Sequence, residues 1–245
     1  MNALPTRKLE AYRYADVAAL ASVWSDLAPP ESIAIAAQQN VQQIWLPSAE
    51  PVQVRRVEIT LAAGATANIF ALNTATTYGR IEIDVTLGDG AHFGLDAANI
   101  GGDKATLEIV TIVRHIGVAT TSRQAIRSVL GDTATGSYLG KVAVARTGQQ
   151  TDSVQSVKAM LLDRGATANA KPELEIYADD VKCAHGATVG ELDPDQLFYA
   201  AARGLDPASA RALLLEGFVG GLWSAIDGDD QGITDLARTA LKAIA

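Results

Sequence analysis

The sequence is poor in the residues that most often do chemistry. It has one cysteine and three histidines in 245 residues. A single thiol excludes an internal disulfide framework and any zinc site built from paired cysteines, and it fits a reducing, cytoplasmic setting. Aromatic residues make up 5% of the chain, too few for the stacking platforms that sugar- and base-binding surfaces use. Basic residues are also in deficit. Twenty Lys and Arg stand against 28 Asp and Glu, for a formal charge of −8, which repels a phosphate backbone and argues against nucleic-acid binding. No apolar run approaches the roughly 20 residues needed to cross a bilayer. The opening stretch "MNALPTRKLEAYRY" lacks the apolar region of a secretory signal.

Familiar catalytic motifs are missing as well. "GSYLGK" at 136–141 is one residue short of a P-loop, and Val142 stands where Ser or Thr would hold magnesium. "GDGAHFG" has the wrong glycine spacing for a dinucleotide fingerprint. "DGDDQG" at 227–232 begins like a calcium loop, but Arg238 occupies the position of the bidentate Glu. His92 and His115 lie in or beside turns and are expected to be solvated.

What the chain does have is small and β-branched residues in alternating runs. "VRRVEITL", "RIEIDVTL", "TLEIVTIV", "KVAVAR" and "LEIYA" read as strands with one face apolar. Gly-, Ala- and Thr-rich turns separate them, among them "AGATA", "HIGVATT" and "HGATVG". No long helix interrupts the run, which excludes a doubly wound α/β sheet. A sandwich, a barrel and a solenoid remain, and turns without Asn-Gly hairpin signals favour the solenoid. Before this region, residues 1–47 read as a short helical segment, with Leu9, Tyr12, Val17, Leu20, Val23 and Trp24 at helical spacing until Pro29 and Pro30. The β core is expected over 48–192 and a helical domain over 193–245. Asp193-Pro194 and Asp206-Pro207 each open a helix there as N-cap and first helical residue. The helix expected from Pro207 to Ile226 carries Leu215, Phe218, Val219, Leu222 and Trp223, more apolar surface than one narrow stripe. Packing under the last helix and docking of a partner are both open to it.

The lone cysteine has an imidazole two residues away. In a strand Cys183 and His185 share a face and present a thiol and an imidazole together. Both bind iron or a borderline metal, yet a tetrahedral site or a cluster takes about four ligands, so any such site would be shared with another chain. The plainer alternative makes Cys183 a core residue and puts His185 at a turn formed by Gly186.

A longer match shifts that balance. "KPELEIYADDVKCAHGATVGELDPDQLFYAAARG", Lys171 to Gly204, closely resembles the signature of the SufB/SufD family of iron–sulfur cluster assembly scaffolds, on its SufD side. "LPTRKLEAYRYADVAAL" resembles the family's N-terminal element and "LLLEGFVGGL" its C-terminal part. Ala184 departs from the usual Ser of the C-S-H-G motif.

The resemblance implies a right-handed parallel β-helix with a helical C-terminal domain, and a non-catalytic scaffold role. It implies pairing with a SufB-like chain and docking of a SufC-like ABC ATPase on the C-terminal helices, through Leu215, Phe218, Val219, Leu222 and Trp223. His185, with Cys183 beside it, would lie at the SufB-like interface. His185 is then a metal or cluster ligand shared with the partner. A cluster or iron would be held there transiently, with none stably bound by the chain alone. The isolated chain could also form a homodimer. A homo-oligomeric structural solenoid and a polysaccharide-acting β-helix enzyme are the alternatives. For the enzyme, Asp179 and Asp180 are adjacent and so point to opposite faces of a strand.

Overall fold

A computed structural model describes residues 3–244, so Met1 and Asn2 of the N-terminal stretch, and Ala245, lie outside the described residues. Twelve strands wind as a parallel β-solenoid of two facing six-stranded sheets. One sheet stacks β1 (Glu31–Ile35), β3 (Val52–Leu61), β5 (Tyr78–Leu87), β7 (Thr106–His115), β9 (Thr135–Val144) and β11 (Thr167–Ile176). The other stacks β2 (Asn40–Trp45), β4 (Thr66–Asn73), β6 (His92–Gly101), β8 (Thr121–Leu130), β10 (Thr151–Leu161) and β12 (Val181–Gly190). Each coil contributes one strand to each sheet. Val52, Tyr78, Thr106, Thr135 and Thr167 form one column, so successive coils take 26, 28, 29 and 32 residues. That drift hides the repeat from a fixed-period reading.

The solenoid starts earlier than the sequence reading placed it. β1 and β2 fall inside the segment 1–47, which was expected to be helical. What helix there is comprises a 3-10 turn, Glu10–Tyr12, and α1, Val17–Ala21. Asp16 caps α1 by accepting the N–H groups of Ala18 and Ala19.

The corners explain the turn residues. Gln38, Gly64, Gly90, Ala119 and Gln150 all take positive φ, between 55° and 65°. The backbone N–H of each donates to a carbonyl of the following coil, as from Gly64 to Asp89 and from Ala119 to Gln149. In "HIGVATT" the left-handed residue is therefore Ala119, whereas Gly117 has a different reason. A Cβ on Gly117 would sit 2.3 Å from the Asp89 nitrogen.

Both outer faces are partly covered. Tyr12, Val17, Leu20 and Trp24 pack over Tyr78 on the first sheet. The Arg80 guanidinium is buried beneath them, 4.2 Å from the Tyr12 ring centre. It donates to Glu82, to the Ala11 carbonyl and to Glu108. On the second sheet the C-terminal helices α3 (Pro207–Gly220) and α4 (Ile233–Ile244) cover Phe70, Leu72, Ile100, Ala125 and Val129.

This packing corrects the reading of the C-terminal apolar face. Leu215, Val219, Leu222 and Trp223 are buried in that cluster, and Phe218 is half-buried against it. Their surface is used within the chain and is not free to dock an ATPase. The helix also stops at Gly220, and a 3-10 turn, Gly221–Trp223, swings Leu222 and Trp223 onto the sheet. Leu215 is fully buried, so Leu215→Ala should cost about 2–5 kcal/mol of unfolding free energy, measured by urea denaturation.

Candidate functional site at the open end

The lumen changes character along its axis. In the parallel register, Ile69, Leu95, Gln124, Gln155 and His185 form one column. Ala67, Phe93, Ser122, Ser153 and Cys183 form the next. Partners in a parallel ladder share a face, so the alternation that turns Ser153 and Gln155 inward does the same for Cys183 and His185. The early coils are aliphatic. The later ones carry a buried hydrogen-bonded chain.

Two branches make up that chain. His115 is fully buried, its Nδ1 2.8 Å from Thr120 Oγ1 and its Nε2 3.0 Å from Ser122 Oγ. Ser122 Oγ in turn lies 2.8 Å from Ser153 Oγ. The second branch crosses the lumen. Thr111 Oγ1 and Tyr138 Oη both donate to Gln124 Oε1, at 2.7 and 3.0 Å, and Gln155 Nε2 donates to Tyr138 Oη at 2.9 Å. Burial holds the Tyr138 phenol above its ordinary value, so it stays a donor. The ring lies over Gly140, where a Cβ would stand 2.0 Å from the hydroxyl.

The expectation that His92 and His115 are solvated is corrected here. His92 is half-buried with Nδ1 2.7 Å from Thr121 Oγ1, and His115 is wholly inside. Position beside a turn suggested exposure, but the turn closes over the lumen corner. The only signal in the sequence was the Thr120–Ser122 pair of hydroxyls that satisfies the ring.

Among the described residues β12 ends its sheet and pairs only with β10, so its other edge is free. Cys183 is half-buried beside Val142, Val144, Leu174 and Val181. Burial, and after it the Asp152 carboxylate, push the thiol above its ordinary value, which keeps it protonated at neutral pH. His185 is exposed and makes no hydrogen bond among the described residues. The structure thus brings Cys183 and His185 to one face of one strand. Together they supply two donors, half of a four-ligand set. Among the described residues no group of three or more His, Cys, Asp and Glu side chains is placed to hold a metal ion. Asp179 and Asp180 lie in the exposed turn before β12.

A parallel β-solenoid is the class of protein this fold defines, its outer faces partly covered and the last strands of both sheets, β11 and β12, unpaired on one side among the described residues. The family profile for the SufBD core domain of the SUF iron–sulfur cluster assembly system matches residues 33–218, and the chain belongs to that family. It is 29% identical over 206 residues to the iron–sulfur cluster assembly protein SufD of Escherichia coli, covering 82% of this chain and 48% of that protein. A SufBD family protein of Synechocystis is 39% identical over 99 residues, 40% of this chain and 22% of its own length. SufD of Bacillus subtilis is 29% identical over 132 residues, 54% and 30% of the two chains. The chain spans about half, or less, of the length of these relatives.

The buried imidazole makes stability depend on pH. Burial lowers the His115 pKa from 6.5 to about 4. Between those values the unfolded chain takes a proton that the folded chain refuses, so stability falls as pH drops through the window. The expected loss is up to roughly 3 kcal/mol. Urea unfolding at pH 7 and pH 4.5 should show this slope, and His115→Gln should flatten it.

Proposed function

We propose that this chain is a non-catalytic scaffold subunit on which nascent iron–sulfur clusters are assembled at a site shared with a SufB-like chain in the cytoplasm. The observation that carries the reading is the placement of half a ligand set on a strand with a free edge. A second β-solenoid adding a strand beside β12 would supply the missing ligands and pair the open N–H and C=O groups. Cluster and iron are cargo here, held only while the two chains are joined. Among the described residues no helix is long and apolar enough to cross a membrane. A second copy of this chain fits the same edge, so a homodimer is the alternative arrangement when no partner is present.

His185 is the side chain with most to offer such a site and least to do in the fold. His185→Ala should change unfolding free energy by no more than about 0.5 kcal/mol. It should abolish cluster formation in anaerobic reconstitution with the SufB-like partner, read by iron and sulfide analysis. Cys183→Ser should retain most of that activity, because the thiol packs against Val142 and Val144. The unmodified chain on its own should yield no stoichiometric cluster. A stable cluster on it, or full assembly by His185→Ala, would overturn the shared-site reading.

The SufC-like ATPase is assigned to the outer side of the C-terminal helices, since their inner side is spent on the solenoid. Tyr199 and Leu213 are 60% and 57% exposed. They flank a groove of about 410 Å³ between α2 (Pro194–Ala202) and α3 that also includes Leu205 and Leu214. The adjacent Phe198 is 76% exposed. Gly217, Gly220 and Gly221 face open space. Leu213→Glu combined with Tyr199→Glu should lower ATPase capture in a pull-down at least tenfold while SufB-like pairing persists. Retained capture would place the ATPase elsewhere.

A further inference from the structure

Gln155 is 1% exposed, and its Oε1 is a buried carbonyl oxygen with no hydrogen-bond donor. Its amide nitrogen donates to the Tyr138 hydroxyl, which in turn donates to Gln124 Oε1. Gln124 Nε2, one coil further in, is likewise without a partner. At Gln155 the carbonyl is the part left over. Gln155 is the Cα partner of His185, and adjacent strands lie about 4.8 Å apart. An orphan acceptor in the penultimate coil of this sheet thus lies directly beneath an imidazole that no hydrogen bond holds.

We propose that Gln155 is a positioning residue for His185. Its side-chain carbonyl accepts one ring N–H and leaves the opposite ring nitrogen unprotonated toward the open end. Such a bond fixes the tautomer and orientation of the imidazole and raises its basicity as a ligand, and losing it typically costs 10–100-fold in affinity or activity. Thr111, Gln124 and Tyr138 hold Gln155 in turn, so the polar lumen has a purpose at its mouth. The inference rests on the proposed role of His185.

The test uses the full 245-residue chain labelled with 15N-histidine, at pH 8. With three histidines, His185→Ala identifies the signal. One protonated and one bare ring nitrogen are expected at His185. Gln155→Leu should merge them toward the average of freely exchanging tautomers, and Gln155→Glu, which keeps an acceptor, should restore the separation. Tyr138→Phe removes the anchor but keeps the amide, and should blur the signal even if Gln155→Leu fails to fold. In reconstitution with the SufB-like partner, Gln155→Leu should slow cluster assembly about tenfold. A His185 signal already averaged in the unmodified chain, or unchanged in Gln155→Leu, overturns the proposal. So does undiminished assembly by Gln155→Leu. If His185→Ala itself assembles clusters normally, the role of His185 fails, while the ring signals still decide whether Gln155 holds it.

Discussion

Everything in this molecule depends on the parallel register between one coil and the next. Backbone hydrogen bonds in a parallel ladder run along the solenoid axis, so each coil is both the product of the coil before it and the template for the coil after it. Side chains inherit the same order. A position facing the lumen in β6 faces it in β8, β10 and β12 as well. Such an arrangement has no internal reason to stop. Its last strand carries unpaired N–H and C=O groups and a lumen face with nothing above it, a liability that other β proteins suppress with charge, proline or a cap. Here β12 has Lys182 outward and a thiol and an imidazole inward, with no covering element among the described residues.

The same register explains why polar groups accumulate toward that end. An aliphatic column can be built from Ile69 and Leu95 without regard for hydrogen bonds. Once Gln124 and Gln155 replace them, each buried amide needs partners or costs free energy of about 1–3 kcal/mol. Tyr138 crosses the lumen to provide one, and Gly140 is needed to let it cross. Gln124 Nε2 and Gln155 Oε1 are the two amide atoms of this column left without a partner. The unmet acceptor and the exposed imidazole are neighbours because the ladder makes them neighbours.

Which parts of this were legible in the sequence follows from what covers each sheet. All five strands read from alternation, β3, β5, β7, β9 and β11, belong to the first sheet, much of whose outer face meets solvent. In β5, Ile81, Ile83, Val85 and Leu87 face inward while Glu82, Asp84 and Thr86 face out. In the second sheet the alternation is erased from both sides. β6 is buried along almost its whole length because α3 and α4 cover its outside, and β8 and β10 turn Ser122, Gln124, Ser153 and Gln155 inward. β1 and β2 are short and half-exposed at the other end, so they left no pattern either. The Cys183–His185 pairing needed only the period of a strand. That it lies on an edge depended on strand order, which one sequence does not display. Leu215, Leu222 and Trp223 were apolar in excess for a reason other than docking, since the surface they cover is formed by β4, β6 and β8, strands that the pattern did not reveal.

The helical segments at the two ends of the chain complete the logic. The N-terminal segment is fastened to the first sheet through Arg80, a buried cation that would be costly unpaired. Tyr12, Glu82, Glu108 and the Ala11 carbonyl all converge on it. Lys171 on β11 pairs with Glu10, which ties the same segment to the last coil of that sheet. The C-terminal helices are fastened to the other sheet by aliphatic and indole packing. The two faces use different physics for one result: part of each broad sheet is covered by the chain's own residues. Two open surfaces bear on the proposed partners. One is the edge and mouth of the last coil. The other is the outer side of α2 and α3, where Phe198, Tyr199 and Leu213 protrude. Binding at the first reads the lumen residues directly, and binding at the second reaches the solenoid only through the Leu215–Trp223 cluster.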